Sequence, residues 1–286
     1  MEKFLEFLKV LFLGIVEGIT EWLPVSSTGH MLLVDEFLQL NADEAFKEMF
    51  FVVIQFGAIL AVILLFWNKM FPFQFKDKGQ SIIRKDVFSL WFKVVFACIP
   101  GAVITLLFDD MIEDFLNHTA LFGKVTLMTV VIAAALILYG FAFIFVEKKN
   151  ANRKMRVTEL HQISYKDAFL IGLFQVLSII PGTSRSGSTI IGALTLGISR
   201  SAAAEFTFFL AVPVMAGYSL LKLLKFGFAF TSLQLMILLV GCISAFLTSL
   251  LVIRFLMSYV KKHSFSAFGI YRIILGAIVL LYFFLF

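Results

Sequence analysis

Along this chain, apolar residues fall into long blocks joined by short polar connectors. Six blocks cover roughly 48–67, 91–108, 121–146, 205–224, 233–253 and 268–286. A helix rises about 1.5 Å per residue, so about 20 apolar residues cross a hydrocarbon core of about 30 Å. Each block therefore predicts a transmembrane helix. Two further apolar regions, 5–40 and 168–199, do not fit that template. The first is broken at Leu23-Pro24-Val25-Ser26-Ser27 and the second at Pro181-Gly182-Thr183-Ser184. Proline ends a helix, and irregular backbone survives at membrane depth only where protein or water satisfies it. Both regions are read as re-entrant helical hairpins. The predicted fold is an all-α polytopic membrane protein: six transmembrane helices plus two re-entrant helical hairpins.

Composition supports this reading. Sixty per cent of the 286 residues are hydrophobic and 15 per cent are charged, against about 45–50 and 25 per cent in soluble domains. No separate soluble domain is predicted. Cys98 and Cys242 both sit in apolar runs without a CxxC or metal-ligand neighbour, and read as small buried hydrophobes. No cleavable leader is expected, because Glu17 and Glu21 interrupt the N-terminal apolar stretch.

The basic excess, a net charge of +5, is read through topology. If each hairpin returns to its own side, one face collects 16 of the 24 Lys and Arg residues, mainly in the loops 68–90 and 147–166. The other face collects 6, and Arg185 and Arg272 lie within segments. The positive-inside rule makes the first face cytoplasmic and puts both termini outside. Because the basic residues flank spans, nucleic acid is excluded as a partner.

A weak internal repeat follows. At a shift of 157, Pro24 meets Pro181, Ser27 meets Ser184 and Glu48 meets Glu205. The chain then divides into two halves, 1–150 and 151–286, each a hairpin plus three spans. Three spans is an odd number, so the halves are expected to be inverted. Such a plan places a site near the midplane, between broken helices.

Polar residues collect at the two breaks. A lone Glu or Arg at the bilayer centre costs about 2.5–3.5 kcal/mol, so Glu17, Glu21 and Arg185 must be paired, solvated or metal-bound. Glu17 and Glu21 are i,i+4 neighbours whose charges repel unless a cation lies between them or one is protonated. His30 follows Ser26, Ser27 and Thr28, which places an acid–base group beside candidate nucleophiles. In the second break, Pro181-Gly182-Thr183-Ser184-Arg185-Ser186-Gly187-Ser188-Thr189 opens a helix. Glycines, hydroxyls, free backbone N–H groups and an arginine fork make an anion site there. Acidic residues, a nucleophile and an oxyanion clamp inside a membrane point to phosphoryl transfer on a lipid phosphate.

At these residues the chain resembles the undecaprenyl-diphosphate phosphatase family, the bacitracin-resistance membrane proteins. The resemblance is carried by Glu17 through His30 (EGITEWLPVSSTGH), by Gln55-Phe56-Gly57-Ala58-Ile59-Leu60, and by Pro181 through Thr189. It spans essentially the whole chain. Phe56 stands where that family more often has leucine, a difference expected to be neutral. The resemblance implies hydrolysis of undecaprenyl diphosphate to the monophosphate and inorganic phosphate, recycling the lipid carrier for peptidoglycan, with Mg²⁺ or Ca²⁺ as cofactor. Carried over, Glu17 and Glu21 are the acidic, metal-binding pair. Ser27 and His30 form the nucleophile region, and Arg185 is the diphosphate clamp. Ser26, Thr28, Gly182, Ser184, Ser186 and Thr189 are the remaining expected substrate-binding residues. Attack by Ser27 with His30 as base is favoured; attack by His30 itself or by metal-bound water remains open.

The expected partners are a polyprenyl diphosphate lipid and the surrounding membrane lipids, and a homodimer is compatible with the sequence. The expected location is the bacterial plasma membrane, with the site toward the outer face. Two other readings compete: an inverted-repeat transporter or lipid flippase, which needs no nucleophile, and a protein that sequesters bacitracin without hydrolysis.

Overall fold

The computed structural model describes residues 2–74, 82–122 and 125–285. Its helices are α1 (Glu2–Thr20), α2 (Ser27–Phe37), α3 (Glu44–Leu65), the short α4 (Trp67–Met70), α5 (Lys85–His118), α6 (Leu127–Asn150), α7 (Tyr165–Val176), α8 (Arg185–Thr195), α9 (Arg200–Phe226), α10 (Ser232–Tyr259) and α11 (Ser266–Leu285). Two very short strands, Ala120–Phe122 and Val125–Thr126, pair antiparallel between α5 and α6.

Six helices are long and apolar enough to cross a membrane: α3, the Lys85–Asp109 part of α5, α6, α9, α10 and α11. They coincide with the six predicted blocks. Boundaries shift by several residues, and two of the shifts are informative. The acidic stretch 109–114, past the end of the predicted block 91–108, lies on the last turns of α5. Leu107, Met111 and Phe115 recur there at helical spacing and are exposed together, so the apolar stripe continues past the acidic residues. Next, α6 begins at Leu127 rather than 121, because the strand pair occupies the preceding residues and Thr126 caps the helix.

The outward faces are apolar. On α10, Leu239, Ile243, Leu247 and Leu251 are exposed in one i,i+4 stripe, and on α6 so are Leu138, Phe141 and Phe145. Apolar stripes of this extent would be a liability in water; on these helices they are lipid contact surface. Pro100 and Pro213 sit inside α5 and α9. Proline is tolerated inside spanning helices where helix neighbours, side chains, water or a local backbone adjustment can meet the freed carbonyl.

The two broken regions are helix pairs. In the first, α1 ends at Thr20 and α2 starts at Ser27; in the second, α7 ends at Val176 and α8 starts at Arg185. Each pair packs against the opposite half of the chain. α1 runs alongside α10, and a Cβ on Gly18 would lie 2.7 Å from the Ala245 carbonyl oxygen. α7 runs alongside α5, where Gly172 meets the Ala97 backbone. Corresponding spans run antiparallel. Glu48 at the start of α3 pairs with Lys222 near the end of α9 (3.7 Å), while Lys69 just after α3 pairs with Glu205 near the start of α9 (2.7 Å). Likewise Gly140 of α6 meets Gly269 of α11, and Ala133 meets Gly276.

Candidate active site

Each break ends in a serine that caps the next helix. Ser26 has φ 74° and its hydroxyl accepts the Gly29 N–H at 3.3 Å. Ser184 has φ 69° and its hydroxyl accepts the Gly187 N–H at 3.2 Å. These are the only non-glycine residues with positive φ among the described residues. Holding a non-glycine residue there costs on the order of 1–3 kcal/mol and persists only where the surroundings enforce it. The caps correspond at a shift of 158, whereas the prolines correspond at 157. The second break has one more residue between proline and cap, so Ser27 is the structural counterpart of Arg185, not of Ser184.

The breaks meet at the centre of the molecule. Arg185 Nη2 donates to Glu21 Oε1 at 2.6 Å, and both side chains are about nine-tenths buried. The Ser27 hydroxyl donates to the other Glu21 oxygen at 3.2 Å. The Ser186 hydroxyl reaches the Leu23 carbonyl at 3.5 Å. Arg185 Nη1 donates to the Thr207 carbonyl at 3.4 Å, and Nη2 lies 3.3 Å from the Met215 sulfur. Glu17, one turn before Glu21, is buried beside Gln55, and its Oε1 has no hydrogen-bond partner among the described residues.

Not every predicted site residue faces this junction. The Thr189 hydroxyl is turned into the helix wall, on the carbonyls of Arg185 and Ser186 and on the Thr207 hydroxyl. It braces α8 against α9, buried within the helix packing rather than facing Glu21 and Ser27. Thr28 is exposed. Gly182 has φ +91°, and a Cβ there would lie 2.6 Å from the Ile132 carbonyl oxygen, so this loop position requires glycine. Ser184 bonds Ser186 hydroxyl to hydroxyl at 3.1 Å.

His30 also departs from expectation. It was placed as the base for Ser27, three residues away. Instead its Nδ1 lies 2.7 Å from the Ser26 carbonyl and its Nε2 lies 2.7 Å from the Tyr271 hydroxyl. A carbonyl only accepts, so Nδ1 carries the proton. In the neutral ring Nε2 then accepts from Tyr271, whose ring stacks nearly parallel at 5.6 Å. His30 thus holds the strained cap residue, and the carboxylate that the Ser27 hydroxyl meets is Glu21. His30→Ala would leave the Ser26 carbonyl only the long bond from the residue-30 backbone N–H, at 3.4 Å, a loss of about 0.5–1.5 kcal/mol. Asparagine places an N–H near the Nδ1 position. The expected outcome is that His30→Asn retains more thermal stability and more turnover than His30→Ala. Equal losses in both would return the role to imidazole chemistry.

Two residues of this centre were missed by the sequence reading. Tyr271 carried no signal. Arg272 did: it is a charge in an apolar span, subject to the argument applied to Arg185. It is fully buried, and its guanidinium donates to the carbonyls of Pro24, Gly182 and Thr183. A cavity of about 610 Å³ between Lys69, Arg84, Lys93, His161 and Glu205 shares no residue with this centre.

Helices of this length and polarity, with an acid–serine–arginine junction between two broken helices, define a polytopic membrane protein with a buried polar site. The chain belongs to the bacitracin resistance protein BacA family, whose model matches residues 10–278. Among its relatives, an undecaprenyl-diphosphatase of Enterococcus faecalis is 66% identical over 278 residues, covering 97% of each chain. Undecaprenyl-diphosphatases of Lachnoclostridium phytofermentans and Acetivibrio thermocellus are 57% and 55% identical, over 99% and 98% of this chain and 98% of each of theirs.

Proposed function

We propose that this protein hydrolyses undecaprenyl diphosphate to undecaprenyl phosphate and inorganic phosphate, the reaction named for its relatives. The observation that carries the proposal is the junction of the breaks: Ser27, Glu21 and Arg185 form one hydrogen-bonded chain at the start of α2 and α8. Two helix N-termini and an arginine favour an anion there. The terminal phosphate would displace the carboxylate from Arg185 and lie against the Ser27 hydroxyl. Ser27 Oγ attacks the terminal phosphorus, its proton passes to Glu21, and the lipid monophosphate leaves. Water then cleaves the phosphoserine and releases phosphate. Ser26, Gly182, Ser184 and Ser186 shape the loops around the phosphate.

A divalent cation, Mg²⁺ or Ca²⁺, is part of this reading. Among the described residues no cluster of three His, Cys, Asp or Glu side chains exists. Mg²⁺ suits such a site, since it is often held by one or two carboxylates plus substrate phosphates. The unpartnered Glu17 oxygen beside Glu21 fits that role. When bound, the ion neutralises phosphate charge. Glu17→Gln is expected to lower phosphate release at least about 100-fold, the order of one lost electrostatic group, and to raise the Mg²⁺ concentration needed. Full activity of Glu17→Gln at the parent's Mg²⁺ requirement would remove Glu17 from the metal site.

The sidedness follows from the lysine and arginine asymmetry: both termini outside, loops 68–90 and 147–166 in the cytoplasm, the first hairpin re-entering from the outer face and the second from the inner face of the bacterial plasma membrane. The antiparallel pairing of α3 with α9 and of α6 with α11 supports treating 1–150 and 151–286 as inverted repeats. The same chemistry would confer bacitracin resistance by keeping the diphosphate lipid scarce.

Terminally labelled prenyl diphosphate tests the point of attack. Attack at the terminal phosphorus gives labelled inorganic phosphate and a lipid monophosphate. Labelled inorganic diphosphate and free prenol would place the cleavage at the lipid carbon and refute this assignment. Movement of intact lipid across vesicles with no release would support a transporter instead.

A further inference from the structure

Arg272 lies within α11 and is fully buried, and no carboxylate pairs with it among the described residues. Nη1 donates to the Pro24 carbonyl at 3.2 Å, and Nη2 donates to the carbonyls of Gly182 at 2.7 Å and Thr183 at 3.0 Å. The guanidinium lies over the Tyr139 ring, 5.3 Å from its centroid. A buried cation without a counter-ion is costly at this depth. Here three backbone dipoles and an aromatic face offset that cost.

The three carbonyls belong to the two breaks. Pro24 precedes the cap Ser26 by two residues, and Gly182 and Thr183 immediately precede the cap Ser184. Both caps hold positive φ, a conformation that the surroundings must enforce. Among the described residues, two other side-chain hydrogen bonds cross between the breaks. The Arg185–Glu21 pair is one that a phosphate would compete for, and the Ser186 bond to Leu23 is long. The Arg272 bonds run to backbone carbonyls of both breaks from a fully buried guanidinium, so they do not depend on the Arg185–Glu21 pair.

We infer that Arg272 is a positioning residue: one planar guanidinium, gripping both breaks at once, sets the spacing between the Ser27 hydroxyl and Arg185. It does so without touching the reacting phosphate. The inference rests on the hydrolase reading above. Lysine carries the charge on a single nitrogen and cannot span the two loops as a fork does.

The test uses full-length protein in detergent carrying Arg272→Lys or Arg272→Gln. The kinetic readout is phosphate release from a polyprenyl diphosphate. The kcat is expected to fall about 10- to 100-fold with KM within about twofold, the pattern of misplaced reacting groups. The second readout is hydrogen–deuterium exchange, which needs no activity. Peptides covering 24–30 and 182–188 should both exchange faster, while α3, α9 and α10 do not. If these variants fail to fold, Gly187→Ala takes their place. Its Cβ would lie 3.2 Å from Arg272 Nη1 and 3.4 Å from the Ser184 Cβ. It should quicken exchange at 24–30 as well as at 182–188, because the guanidinium carries the displacement across. An unchanged kcat in Arg272→Lys, a rise in KM alone, or faster exchange at one break only or throughout the protein would overturn the inference. If the parent protein releases no phosphate, the hydrolase reading fails, and the exchange pattern still decides the role of Arg272.

Discussion

Arg185→Lys is expected to lower kcat/KM for phosphate release by roughly 2.7–4 kcal/mol, about 100- to 1,000-fold, the range for one lost oxyanion donor. Arginine at this position reaches Glu21 with Nη2 and the Thr207 carbonyl with Nη1. A lysine nitrogen supplies charge at one point and cannot reproduce that planar spread. Arg185→Ala adds a second effect. It leaves Glu21 buried beside Glu17 without its cation, and removing one member of a buried pair costs about 3–5 kcal/mol. Arg185→Ala should therefore also lower the thermal midpoint, and adding Glu21→Gln should recover part of that loss. Lysine working as well as arginine would eliminate the fork. An unchanged midpoint in Arg185→Ala would mean that the two carboxylates do not depend on it.

Ser27→Ala is expected to show the other large effect, loss of nearly all turnover with folding intact. The Ser27 hydroxyl makes one side-chain hydrogen bond, to Glu21 at 3.2 Å, and caps nothing, because Ser26 caps α2. Its removal therefore has little structural consequence, unlike loss of Ser26. In the serine route, rapid acid quench with terminally labelled lipid diphosphate traps label on Ser27 in the parent. Glu21→Gln should form that species far more slowly, since the carboxamide cannot take the proton. Label on His30, or continued turnover by Ser27→Ala, would move the attack to histidine or water.

Much of the architecture was legible because membranes enforce simple rules. An apolar block of about 20 residues has few alternatives to a spanning helix, and all six spans were found from block length. The breaks were legible for the same reason, since Pro24 and the Pro181–Ser184 run cannot continue a helix through an apolar region. The elements that misled lie where length rules stop applying. Apolar spacing carries α5 through the acidic residues 109–114 as helix.

The site was legible in its residues and less so in its contacts. Glu17, Glu21, Ser27 and Arg185 stood out as polar groups at depth, and three of them meet. Helical spacing suggested that Ser27 faces His30, but the useful neighbour of Ser27 is Glu21, six residues back across a break, where no helix period applies. The partner of His30 is Tyr271, in the last helix, and no local pattern connects them. Arg272 was different. Its cost in an apolar span was visible from the sequence, and the same argument that singled out Arg185 would have singled it out.

In this mechanism the junction of the two breaks is the hydrolytic site. The most direct measurement is inorganic phosphate released from undecaprenyl diphosphate by the purified protein with Mg²⁺, beside Ser27→Ala and Arg185→Ala at matched folded concentration. One phosphate per lipid from the parent, with both variants at least about 100-fold slower, is the predicted result. No release from folded parent protein that binds the lipid, or equal release from all three, would contradict it.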